Sequence, residues 1–458
     1  MKMLQRYRSG NPYLAGLLVI ALAASVLAAC TPRFGETTDA GASREPSETL
    51  MSFAESTGAA VYTSRMVSWR MPVASDDEGN APALYYCADE RSARDWSDLK
   101  ASEIQTVRGI LVESSEVDEN KDYVRFEAEM TDLSPGVYTY RVGTTDNLSE
   151  PVTFRAEGAP NQTAFVFLGD VQPDSSLSDY EVFGKIIDSV YREHPDIDFA
   201  LQSGDIGNVG NAQEEWAAFL SYADRVFDRI PLMTAIGNHE VSPYVGYPGH
   251  KPSRYLDTFS LPRNGPAGFE EEFYSFEYGA VHVTVLSSNY QDPEESYSDD
   301  PAENERISAE INRWIEDDLA AGADKPWRIV MMHHPAFPLV SDSMTESIQN
   351  EWLPIFERTD VSLILCGHQH EFMRTKPWLN GAKEDAAGLV QIMGNASKKT
   401  YPLSGSGLGY IAFEQGDTSG YHYIVATDET LSITAFDADG NRFDHFEMEK
   451  LADKEGAA

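Results

Sequence analysis

The stretch VSLILCGHQH, residues 361–370, joins an apolar run to two histidines two positions apart. VSLIL is too short for a helix and too uniformly apolar for a half-exposed strand, so it reads as a strand covered on both faces, with Gly367 marking where it stops. A Gly-His-x-His string by itself is weak, because chance supplies many. Its meaning depends on what else in the chain ends the same way, and four other apolar runs do. TAFVFL leads into Gly169-Asp170-Val171-Gln172, DFALQ into Ser203-Gly204-Asp205-Ile206-Gly207-Asn208, PLMTAI into Gly237-Asn238-His239-Glu240, and WRIVMM into His333-His334-Pro335. Five of the ten histidines sit at three of these five ends. Carboxyl ends of strands are where open α/β sheets place their ligands, so the five ends together predict one site.

Between the runs lie segments of helical spacing: SDYEVFGKIIDSVYRE, NAQEEWAAFLSYADRVFDRI and MTESIQNEWLPIFERT. Alternation of apolar runs with amphipathic segments predicts parallel strands covered by helices on both sides. YSFEYGAVHVTVLSS reads as a hairpin-like pair, and a last β-rich stretch runs from GLVQIMG to about residue 448. The donor types at the strand ends are hard carboxylate and amide oxygens mixed with imidazole nitrogens, a set that suits Fe, Mn, Zn or Ni better than Ca. Two such metals about 3.5 Å apart, sharing a carboxylate, clamp the attacking and leaving oxygens of a displacement at phosphorus.

Residues 45–158 have another texture. Short alternating runs, AAVYTSRMVSWRM, APALYYCA, DYVRFEAEM, GVYTYRVG and EPVTFRAE, predict antiparallel strands in an all-β sandwich with no cluster of reactive side chains. The chain carries 35 basic and 74 acidic residues, a formal charge of −39. That excludes a nucleic-acid or anionic-membrane surface, which needs clustered Lys and Arg. At the N-terminus, Lys2, Arg6 and Arg8 precede LAGLLVIALAASVLAA and then Cys30, the pattern of an export signal. LAAC resembles a bacterial lipobox, which implies a signal peptide over 1–29, lipidation of Cys30, a flexible tether over 30–44 and a cell-envelope location. Cleavage there takes the charge from −39 to −42. Cys87 and Cys366 fall in different predicted domains, so no disulfide framework is expected.

The ordered set of strand ends resembles the calcineurin-like metallophosphoesterase superfamily over residues 162–448, with 449–458 as a tail. LSPGVYTYRVG resembles the late hairpin of fibronectin type III-like domains, and a sandwich placed before such a domain is similar to purple acid phosphatases and their bacterial relatives. The resemblance implies a four-layer α/β/β/α sandwich preceded by an all-β fibronectin III or immunoglobulin-like sandwich. It implies two divalent or trivalent metal ions, with Asp170 and His370 on the first, Asp205 bridging, and Asn238, His333 and His368 on the second. It implies that His239 faces the substrate as a catalytic group beside the bridging Asp205, with Asn208, His250 and His334 as weaker substrate contacts.

Two positions depart from the family pattern. Gln172 stands where most members have His, a neutral and weaker metal ligand, and Asn208 stands where purple acid phosphatases have the tyrosine that colours their iron. No purple tyrosinate band is therefore expected. The implied activity is hydrolysis of a phosphorylated small molecule, a phosphomonoester, by a metal-bound hydroxide. A phosphodiesterase of the same superfamily and an inactive surface-binding protein are the alternatives.

Overall fold

The computed structural model describes residues 46–450 apart from 55, 73–80, 89–95, 97–98, 113–122, 242–250, 293–297, 299, 380–381, 384–387 and 406. The export segment with Cys30, the tether, His250 and most of the tail lie outside the described residues. No helix among the described residues is long and apolar enough to cross a membrane.

The N-terminal strands are β1 (Ser47–Ser52), β2 (Arg65–Pro72), β3 (Ala83–Ala88), β4 (Gln105–Arg108), β5 (Ile110–Val112), β6 (Tyr123–Met130), β7 (Gly136–Thr144), β8 (Asn147–Leu148) and β9 (Val152–Ala156). They form two antiparallel sheets, ordered β1-β2-β6-β5 and β4-β3-β7-β8, with β9 also on β7. Alternate residues of the two sheets meet in one core around Trp69, Tyr86, Tyr138, Tyr140 and Phe154. One local expectation fails: the run read as a strand from residue 59 opens with a helical turn, α1 (Ala60–Thr63), and the strand starts at Arg65. The turn tucks Val61 into the neighbouring α/β core, and that burial outweighs the β preference of Val-Tyr-Thr.

Two sheets follow. The first, ordered β12-β11-β10-β22-β23-β24, contains β10 (Thr163–Leu168), β11 (Phe199–Gln202) and β12 (Leu232–Thr234) in parallel. Beyond β10 it continues antiparallel through β22 (Gly420–Ala426), β23 (Thr430–Asp437) and β24 (Arg442–Glu449). The second is ordered β13-β14-β15-β16-β20-β17-β21. Here β13 (Tyr274–Tyr278) is antiparallel to β14 (Val281–Leu286), closing the expected hairpin. β14, β15 (Trp327–Met332), β16 (Leu363–Cys366) and β20 (Val390–Met393) are parallel. β17 (Phe372–Thr375) and β21 (Ile411–Gln415) complete that edge, and β18 (Trp378–Leu379) and β19 (Ala382–Lys383) form a small hairpin outside it.

The period-2 alternation of the second sheet sorts its side chains. Val283, Ile329, Met331, Leu363 and Leu365 join the core shared with the first sheet and with helices α2 (Tyr180–Glu193) and α3 (Gln213–Phe227). Leu286, Val330, Met332 and Ile364 face the other way, onto α6 (Pro301–Ala321), α7 (Ser343–Glu351) and α8 (Leu353–Arg358). The sheets therefore lie face to face with helices outside each. α7 and α8 come from one segment of continuous helical spacing. Pro354 at the second position of α8 has no N–H to donate, so the hydrogen-bond ladder restarts there.

The sandwich and the α/β layers share one compact unit, Glu45–Ala458. Phe53, just after β1, stacks on Tyr278 with ring centroids 5.3 Å apart and meets Phe199 edge-on at 5.7 Å. Tyr140 on β7 donates its hydroxyl to the Asp228 carbonyl at the end of α3, at 2.5 Å.

Candidate metal centre

Five predicted strand ends converge. Asp170 and Gln172 follow β10, Asp205 follows β11, Asn238 opens the single turn α4 (Asn238–Val241) after β12, His333 and His334 follow β15, and His368 and His370 follow β16. Parallel strands put all these ends on one side of the molecule. Gly237 leaves room for the neighbour: a Cβ there would stand 2.2 Å from Asp205 Oδ1. Asp205, His368 and His370 hold φ of 56°, 75° and 51°, a region that L-residues enter at a cost and that clusters at functional sites. Glu240, buried, organises the turn. Its carboxylate accepts from the backbone N–H of Asp205 (2.8 Å), Ile206 (2.8 Å) and Gly237 (2.7 Å).

Two donor groups result. His333 Nε2 lies 3.0 Å from Asn238 Oδ1, 3.2 Å from Asp205 Oδ2 and 3.2 Å from His368 Nδ1, which is itself 3.1 Å from Asn238 Oδ1. Adjacent ligands about 2.1 Å from an octahedral ion stand about 3.0 Å apart, so these four atoms have the spacing of one coordination shell. Asp170, Asp205 and His370 form the other group, with ligand atoms within 4.8 Å of one another. Asp205 belongs to both.

Tautomers agree with this reading. His333 Nδ1 and His370 Nδ1 lie 3.0 Å from the carbonyls of Ser203 and Lys399, so both carry their hydrogen there and leave Nε2 as a lone pair facing the cluster. Burial raises a carboxyl pKa, yet His333 and His239 beside Asp205 hold its carboxyl well below the usual range. Burial works against a proton on His333 as well, but Asp205 and then Asp170 push its pKa up to about 9. The buried carboxylates thus recruit positive charge, and the donor set is one that could hold a metal ion.

The other predicted residues divide. His239 reaches the site: its backbone N–H donates to Asp205 Oδ1 (3.0 Å), its Nδ1 donates to the Asn208 carbonyl (2.6 Å), and Nε2, 3.9 Å from Asp205 Oδ2, has no hydrogen-bond partner among the described residues. Asn208 acts through that carbonyl, while its side chain turns away to Pro173. His334 is buried and takes a hydrogen bond from Ser288 Oγ at 2.8 Å. Burial, with His368 and His333 nearby, pushes its pKa well down and keeps it neutral. It packs behind His368, with ring centroids 4.3 Å apart. Gln172 is oriented against the expectation of an oxygen ligand. Its Nε2 donates to Asp205 Oδ2 at 2.9 Å, because its oxygen is engaged by Lys399.

Two participants escaped the sequence reading. Asn395, at the end of β20, bridges to Asp170 and donates Nδ2 to the Lys399 carbonyl at 3.0 Å. Lys399 then borders the site. The available signal was a sixth apolar run, LVQIM, that also ends in Gly-Asn.

A cleft of ≈ 560 Å³ opens over the donors. Its walls include Val340, Tyr401 and Leu403, three exposed apolar side chains, and the acidic Asp342 and Glu371. Among the described residues lining it, Lys399 is the one lysine or arginine.

These features define an α/β protein with an acid–histidine metal-donor cluster at the carboxyl ends of two facing sheets. Residues 163–372 match the calcineurin-like phosphoesterase family. It is 29% identical over 280 residues to an uncharacterized protein of Mycobacterium tuberculosis, covering 56% of this chain and 51% of the relative. It is 24% identical over 259 residues to purple acid phosphatase 21 of Arabidopsis thaliana, covering 56% and 54%. The chain thus spans about half the length of these curated relatives. In fold it is similar to purple acid phosphatase PPD1 from yellow lupin (Lupinus luteus) seeds, with a TM-score of 0.65 at 16% identity over 89% of this chain and 74% of that one. The structure of PhoD gives 0.59 at 13% identity over 90% and 91%.

Proposed function

We propose that this chain is a binuclear metal-dependent phosphoesterase that hydrolyses phosphomonoesters. The observation that carries the reading is the set of four donor atoms, from Asp205, Asn238, His333 and His368, spaced 3.0–3.2 Å apart in the pairs above beside a second group that shares Asp205. Asp170, Asp205 and His370 would hold one metal and Asp205, Asn238, His333 and His368 the other. Bound there, the ions supply charge to neutralise phosphoryl oxygens and to acidify a water.

The chain's own residues do the rest. His239 Nε2, free and half-exposed at the cleft, hydrogen-bonds a phosphoryl oxygen and in its imidazolium form passes a proton to the leaving alkoxide. The Asn208 carbonyl fixes its ring through Nδ1. Val340, Tyr401 and Leu403 provide an apolar wall for the alcohol part. With a single lysine against two carboxylates besides the donor Asp205, the cleft suits one phosphoryl group better than a polyphosphate chain. The N-terminal sandwich serves as a fibronectin III-like frame, and the signal segment with lipidated Cys30 places the enzyme on the cell envelope.

Turnover of an aryl phosphate and of a bis-aryl phosphate diester by the chain from residue 31, with metal content by mass spectrometry, tests the reading. Expected are about two metals after saturation, faster monoester cleavage, and loss of at least about 10³-fold in kcat/KM with Asp205→Ala. Diester preference would move the assignment within the superfamily. No turnover with Mn, Fe, Zn or Ni would leave the inactive binding protein. Radiolabelled palmitate on the full chain, absent from Cys30→Ala, checks the anchor.

A further inference from the structure

Lys399 Nζ lies 3.3 Å from Gln172 Oε1. An ammonium has donors only, so the atom that faces it must be the amide oxygen, and the orientation of the amide follows. Gln172 Nε2 then points at the first donor group, 2.9 Å from Asp205 Oδ2 and 3.3 Å from His370 Nε2. On this side of the site a donor N–H and a cation stand where an oxygen or nitrogen lone pair would serve a metal.

The arrangement is built in by main-chain bonds that do not depend on the lysine side chain. Ser397 Oγ donates to the Gln172 carbonyl (2.5 Å) and accepts from the Lys399 N–H (2.8 Å), while His370 Nδ1 donates to the Lys399 carbonyl (3.0 Å). The same short segment therefore orients one ligand, His370, and delivers a positive charge beside it. Among the described residues the second donor group has no such intruder: Asn238, His333 and His368 present an oxygen and two ring nitrogens to one another and to Asp205.

We propose that Lys399 is a positioning residue that sets the metal occupancy of this site: it withdraws the Gln172 oxygen, turns the Gln172 N–H onto Asp205 and His370, and holds its charge behind that amide. One metal is then held firmly by Asp205, Asn238, His333 and His368, and the second binds weakly, in competition with the lysine. The inference rests on the reading above that these donors bind metal. The consequence for function is an enzyme whose active, doubly loaded form depends on the free metal concentration.

The test is calorimetric titration of the metal-free chain with Mn²⁺, with metal retained after gel filtration counted by mass spectrometry. The wild-type chain is expected to retain one ion and to bind a second at least about tenfold more weakly. Lys399→Met should strengthen the weak site by about tenfold or more and leave the strong one unchanged, since a neighbouring unit charge is removed and the main-chain bonds stay. Lys399→Arg should behave as wild type, and Gln172→His should strengthen the weak site as Lys399→Met does. Two sites of equal affinity in the wild type, or a weak site unmoved by Lys399→Met, would overturn the proposal. Retention of no ion by any of these chains would sink the metal reading itself, a result distinct from two equal sites.

Discussion

The sandwich of β1–β9 and the α/β layers both bury aromatic cores, Trp69, Tyr86 and Tyr140 in one, Phe165, Phe167 and Phe199 in the other. They part company at the strand ends. Antiparallel neighbours in the sandwich send successive ends to opposite edges, so no two of its loops need meet. The parallel strands β10, β11, β12, β15 and β16 release their carboxyl ends to the same side, and Asp170, Asp205, Asn238, His333 and His368 meet there. Strand direction, rather than core composition, decides which half of this molecule can assemble a site.

Perturbing the sandwich core should leave the site untouched in folded molecules. Trp69 is fully buried, and Trp69→Ala is expected to cost about 3–5 kcal/mol in urea unfolding. Metal content and kcat per folded chain should stay within about twofold, because no donor to the site comes from β1–β9. Trp69→Phe sharpens the point: the indole Nε1 has no hydrogen-bond partner among the described residues, so its loss should cost far less. A collapse of metal binding in folded Trp69→Ala would break the division between the halves.

The α/β layers carry their own pH-dependent stability away from the metal donors. His282 on β14 is buried with Nε2 3.0 Å from Asp318 Oδ2, and Nδ1 is 3.5 Å from Glu277 Oε1, an ion pair too long and oblique to be a hydrogen bond. Burial opposes a charged ring, but Asp318 and Glu277 overcome it and push the pKa from 6.5 to about 9. The folded ring holds its proton more firmly than the unfolded one. This stabilisation, on the order of 3 kcal/mol, is therefore complete below pH 6.5 and is lost as pH rises through about 9. Urea midpoints from pH 6 to 10 should fall accordingly in the wild type and flatten in His282→Gln. A flat wild-type profile would mean that the ring is neutral when folded.

Much of this architecture was legible because hydrophobic runs and donor residues adjoin in sequence: a reader needs only VSLILCGHQH to find a strand and two candidate ligands. What escaped depended on tertiary neighbours. The amide of Gln172 is oriented by Lys399, a residue 227 positions away, and the bridge from Asp170 to Asn395 with the Ser397–Gln172 hydrogen bond brings the two together. Val-Tyr-Thr at 61–63 favours a strand by composition, and burial against the α/β core makes it helical. Pro354 was visible, but continuous apolar spacing on either side of it masked the break.

The joint between the halves should show a smaller effect. Tyr140→Phe removes the hydroxyl that caps the Asp228 carbonyl and leaves that acceptor buried, at a cost of roughly 1–2 kcal/mol. If Tyr140→Phe is neutral, the two halves are held by their other contacts, among them the Phe53 rings and the Tyr62 hydroxyl on the Gly279 N–H, and not by this bond.

The smallest effect separates chemistry from fit within the cleft. Leu403 is 61% exposed on the cleft wall, so its removal costs little stability, and under the proposed function it is free to meet the alcohol part of the substrate. Ser404 keeps the loop in place from the polar side, donating Oγ to the buried Glu371 at 2.5 Å. Leu403→Ser should therefore leave the loop standing and remove only apolar contact, about 1 kcal/mol or some fivefold in KM for an aryl phosphate. kcat should hold, because a contact kept from ground state to transition state changes binding alone. Glycerol phosphate, whose alcohol part has no comparable apolar surface, should show no change. Equal losses on both esters would place Leu403 in the support of His370 and Lys399 through the 399–404 segment, and the apolar wall would then have no part in choosing the substrate.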